Sequence, residues 1–227
     1  MRLDLLHLCD SLFPIGSFVC SDGLESATAW LKPDASESVE HLREWLDVCL
    51  DETIGRLEGP AVRRAWQAAT DRDWRALTTI DSEMTALRPS ASARATSRAM
   101  GVRLVTTWAA LYPDARLDEI LLRARQRLIG PTLPIAFGSA CACRLISERD
   151  TIEAFAYTRL SAAVSAAMRL MPIGQTGAHT LLARALDRVP AVVGALMARN
   201  AGPESFTPEL DIALMTHQYL HARLFRT

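Results

Sequence analysis

Ile152-Glu153-Ala154-Phe155-Ala156-Tyr157-Thr158-Arg159-Leu160-Ser161-Ala162-Ala163-Val164-Ser165-Ala166-Ala167-Met168-Arg169-Leu170 is the stretch that decides the fold. Ile152, Phe155, Ala156, Leu160, Ala163, Ala167 and Leu170 recur at spacings of three and four. That spacing lines them up along one side of an α-helix and scatters them over both faces of a strand. The same period returns at Leu117, Ile120, Leu121, Ala124 and Leu128, and again at Val39, Leu42, Leu46, Cys49 and Leu50, with Ser36 or Ser38 as a candidate N-cap. Each stripe reads as the buried face of a bundle helix.

Breakers set the number of helices. Pro14-Ile15-Gly16, Lys32-Pro33-Asp34, Gly59-Pro60, Arg88-Pro89, Tyr112-Pro113-Asp114, Gly130-Pro131, Pro172-Ile173-Gly174 and Gly202-Pro203 interrupt the helical period. These eight interruptions predict about nine helices. No Ser/Gly tract or charge block separates two halves, so the expected architecture is one all-α domain over residues 1–227. Pro-Ile-Gly occurs at Pro14 and at Pro172, but the flanks differ too much for an internal repeat.

Composition agrees. The 227 residues include 35 alanines and 31 leucines against three tyrosines and six phenylalanines, which disfavours a sheet. With 25 basic and 26 acidic residues the net charge is −1, so no long-range field draws the chain to nucleic acid or to an acidic membrane. Five cysteines, no leader pattern and no long apolar run predict a soluble, cytoplasmic protein. Lys32, the one lysine, lies in Leu31-Lys32-Pro33 and does not make a phosphate-binding P-loop.

Chemistry-bearing patterns are few. There is no Gly-x-Ser-x-Gly, His-Glu-x-x-His or Cys-x-x-Cys, so no catalytic residue is assigned and no enzyme is expected. His217 and His221 stand four apart, within reach of one ion on a helix, but no third ligand follows at a defined offset. Cys141 and Cys143 diverge on a helix and read as small buried residues, and a weak site of Cys9, Cys20 and His7 stays open. No metal ligand set and no cofactor is assigned. Arg94 and Arg98 share a helix face, which is chemically compatible with an arginine finger for a partner GTPase.

Two turns carry more information. From Leu5 to Glu25 a short apolar helix stops at Pro14, Gly16 permits positive φ, and Ser21 or Asp22 can cap a new helix with Glu25 closing the box. At the second turn Pro172 ends one helix, Gly174 can turn left-handed, Thr176 can cap a helix starting near Gly177, and Gln175 has no turn role.

The first segment resembles the N-terminal signature of the urease accessory protein F family, Ser-x-x-Leu-Pro-x-Gly-Gly-Phe-x-x-Ser-x-Gly-Leu-Glu. Three more blocks follow in the family's order. They are Ser97-Arg98-Ala99-Met100-Gly101 with Leu104, then Arg169 to Thr176, and Leu210 to Ala213 running on to His217-Gln218-Tyr219-Leu220 and Arg223-Leu224-Phe225. Phe13, Ser17 and Cys20 depart from the usual Leu, Gly, and Tyr or His. The resemblance implies a non-catalytic adaptor that bridges accessory protein UreD (UreH) and the nickel-binding GTPase UreG, docks on apo-urease, supports nickel insertion and forms a homodimer. Turn chemistry and block matches together mark Pro14, Gly16, Phe18, Ser21, Gly23, Glu25, Gly174, Gln175, His217, Tyr219, Arg223, Leu224 and Phe225 as candidate partner-binding residues. Leu224 and Phe225 close to the end of the chain suggest a tail that docks, with Arg223 donating to the Pro14–Glu25 loop. The alternative class is a helical ligand-binding regulator or a small enzyme built round an apolar cavity.

Overall fold

In the computed structural model, which describes residues 2–226, the most apolar helix lies at the centre and several of the others pack directly on it. This helix, α8 (Leu133–Cys143), has all eleven residues buried, so it shows no amphipathic stripe. Before it come α1 (Leu3–Cys9), α2 (Leu24–Leu31), α3 (Ala35–Val48), α4 (Gly59–Asp71), α5 (Trp74–Ala86), α6 (Ala91–Leu111) and α7 (Ala115–Arg125). After it come α9 (Glu148–Leu170), α10 (Gln175–Arg199) and α11 (Pro208–Thr216). Single 3₁₀ turns occupy Ser17–Val19 and His217–Tyr219. The fold is all-α, with no strand among the described residues. No helix there is long and apolar enough to cross a membrane.

Two close approaches make the centre. A Cβ on Gly138 would lie 2.4 Å from the Val62 carbonyl oxygen, so α4 and α8 meet backbone to backbone. A Cβ on Gly101 would lie 1.9 Å from the Pro131 carbonyl oxygen, so α6 presses on the turn that leads into α8. The free amides at that end of α8 are supplied by its neighbours. Gly130 and Thr132 donate to the Asp81 carboxylate of α5 at 3.0 and 2.8 Å, and Leu133 donates to Ser97 Oγ of α6 at 3.1 Å. Burial raises the Asp81 pKa, and these amides pull the other way. Trp108 and Trp66 donate from their indoles to the carbonyls of Ala140 and Ile146, which fixes the far end.

Several local expectations are corrected. Gly59-Pro60 does not break the chain: α3 runs through a π-helical stretch, Cys49–Glu58, straight into α4, with Pro60 in the first turn of α4. The helical rod from 35 to 71 is therefore continuous. Two breaks instead fall where no Gly or Pro stands, at Arg72 (φ 57°) and Leu145 (φ 53°), followed by side-chain caps from Asp73 and Ser147. Asp34, not Ser36 or Ser38, caps α3, and Glu37 completes a capping box. At the second turn α10 starts at Gln175 with Gly174 (φ −71°) as N-cap, so Gly174 is not left-handed and Thr176 is not the cap.

The N-terminus is held by charge. Asp4 pairs with Arg2 at 2.7 Å and with Arg144 at 3.0 Å, while Arg2 also donates to the carbonyls of Arg144 and Leu145.

The glycine environments predict opposite outcomes. Gly101→Ala forces a backbone contact apart and should lower stability by about 3 kcal/mol in urea unfolding. Gly177→Ala, exposed inside α10 with nothing within 4 Å of the added Cβ, should be stabilising by about 0.5 kcal/mol.

Candidate functional site

The two ends of the chain form one structure around Glu25. Gly16 (φ 80°) turns the chain after α1, the 3₁₀ turn presents Phe18, and Gly23 (φ 94°) starts α2. Only glycine suits the Gly23 position, because a Cβ there would also press on Ala213 and Leu210 of α11 at 3.3 Å. Ser21 Oγ accepts from the Glu25 amide at 3.4 Å. The Glu25 carboxylate does not close a capping box. It turns inward and meets His217 Nε2 at 2.7 Å, the Leu224 amide at 2.5 Å and the Phe225 amide at 3.2 Å. The Arg226 amide adds a bond to the Val19 carbonyl at 2.8 Å.

Arg169, at the end of α9, clamps the arrangement. Its guanidinium lies 4.3 Å from the ring centres of both Phe18 and Phe225 and donates to the Phe18 carbonyl at 3.0 Å. Phe225 is 4 % exposed and joins the core, while Phe18, Tyr219 and Leu224 are 62, 78 and 54 % exposed. The docked tail thus carries an apolar outer surface.

Behind the loop lies a buried ion cluster. Arg159 of α9 reaches Asp22 at 2.7 Å and Glu58 at 2.9 Å, and Glu58 also pairs with Arg88. Burial works against the Arg159 charge, but Asp22 and Glu58 outweigh it and raise its pKa. Burial likewise opposes ionisation of Asp22, yet Arg159 and Arg88 hold its pKa below the ordinary value.

The candidate residues separate into groups. Phe18, Ser21, Gly23, Glu25, His217, Leu224 and Phe225 come together as described. Pro14 is exposed, and Gly16 lies under the Arg103 guanidinium. Gly174 and Gln175 are exposed on the first turn of α10. Arg223 is exposed, and the bonds that dock the tail come from the Leu224, Phe225 and Arg226 amides. Helix α11 ends at Thr216, so His221 leaves the helical register of His217. Glu58, Arg88 and Arg159 carry no functional role in the sequence reading, and Asp22 stands there only as a candidate helix cap. Arg159 had a legible signal, since a charge four after Phe155 and seven after Ile152 falls on an apolar stripe.

The cysteine patterns meet a physical obstacle. Burial pushes the Cys9, Cys49 and Cys143 thiols up to about 12 and raises Cys141 as well, so none supplies a thiolate near neutral pH. Cys9 and Cys20 Sγ point to the Ala154 and Gly16 carbonyls, and the His7 ring packs edge-on against Phe13 at 5.4 Å. Among the described residues no three His, Cys, Asp or Glu side chains gather as a metal site.

A protein-family model described as UreF matches residues 36–186. The chain belongs to the UreF family. Its sequence is 32 % identical to a urease accessory protein UreF of Azoarcus sp. strain BH72, across 98 % of this chain and 94 % of that protein. It is 30 % identical to that of Nitrosococcus oceani, across 98 and 97 %, and 27 % identical to that of Lachnoclostridium phytofermentans over the same shares. The UreF model starts beyond the loop of Pro14 to Glu25 and stops before the tail, whereas these relatives align across nearly the full length.

Two outcomes follow. Arg159→Ala takes the 2.7 Å partner from the part-buried Asp22 and leaves buried Glu58 to Arg88 alone, and should cost about 2–3 kcal/mol in denaturant unfolding. Titration calorimetry of the isolated protein with nickel should show only weak binding, unchanged by replacing His217 and His221 together; a tight single site lost in that variant contradicts this reading.

Proposed function

We propose that this UreF-family protein is a non-catalytic, cytoplasmic adaptor in urease maturation, bridging accessory protein UreD (UreH) and the GTPase UreG on apo-urease and supporting nickel insertion. The observation that carries the reading is the docked tail. Its bonds to the body use backbone amides and the buried Phe225, which leaves Phe18, Tyr219 and Leu224 outward as apolar contact area. Contacts of that kind suit a protein partner, because aromatic and leucine side chains held on a rigid base lose little freedom on binding.

The same reading includes a homodimer. Along α9, Glu153, Tyr157, Ser161, Ser165 and Arg169 form one i±4 row that stays at least partly exposed. Two such rows crossing antiparallel at about −50° would set Glu153 against Arg169 of a second copy, with Ser161 at the two-fold axis. An apolar groove of about 670 Å³ flanks this row, lined by Leu5, Leu6, Ile15 and Phe18.

The test uses exposed residues, so that folding is preserved. Tyr219→Ala combined with Leu224→Ala should leave the melting temperature unchanged within a few degrees. It should abolish co-purification with UreD from cells expressing the urease genes, and urease activation with it. Full co-purification by the double variant would contradict the placement of the interface on the tail.

A further inference from the structure

We draw no further inference here: the strongest candidate, the apolar groove of about 670 Å³ between α1 and α9 that Leu5, Leu6, Ile15, Phe18 and Phe225 line, carries nothing because nothing in the structure shows what covers it.

Discussion

One buried carboxylate joins the two ends of this chain. Glu25, on the first turn of α2, accepts from the backbone amides of Leu224 and Phe225 and meets the imidazole of His217. A carboxylate held away from water without partners would be expensive, and so would the three donors left alone. Together they satisfy one another. Because two of the donors are backbone amides, the position of the tail is set by the main chain and its side chains are left free: Phe225 for the core, Leu224 for the surface.

The rest of the molecule holds Glu25 in place. The Gly23 turn before it has no room for a side chain, because α11 packs directly on the site of the missing Cβ. Asp22, one residue earlier, is tied through Arg159 to α9 and through Glu58 to the end of the π-helical stretch, where Arg88 closes the set. Those elements in turn pack on α8, which is buried on every side and capped by Asp81 and Ser97 from neighbouring helices. The route from core to tail is a series of paired charges and capped helix ends, in which Glu58 is shared between Arg88 and Arg159.

Much of the fold was legible in the sequence because local rules and packing agree there. The stripe of α9 emerges with Ile152, Phe155, Ala156, Leu160 and Ala167 buried, and seven of the eight Pro and Gly interruptions separate helices. The exception, Gly59-Pro60, was misleading because the π-helical stretch before it alters the backbone pairing that a proline would break. The turns at Arg72 and Leu145 gave no warning, since ordinary residues take positive φ there, and at Leu145 a distant partner helps hold the turn: Arg2 bonds to its carbonyl from 143 positions away. The site divides in the same way. The turn at Gly16 and the docking of Phe225 follow from local chemistry and from apolar residues near the chain end. The choice of backbone amides over Arg223 as donors, and of Arg159 as the hub of an ion cluster, depends on partners more than a hundred residues apart.

The family places the protein among urease accessory proteins, and its α-helical body holds an N-terminal turn and a C-terminal tail as one surface. The central claim is that the Glu25 carboxylate pins this surface in the free protein. Native-state hydrogen exchange of the Leu224 and Phe225 amides tests it most directly. The account predicts that both amides are protected in the wild type and exchange at near-free rates in Glu25→Ala, while the amides of α8 stay protected in both. Fast exchange at Leu224 and Phe225 in the wild type, or equal protection in Glu25→Ala, would contradict it.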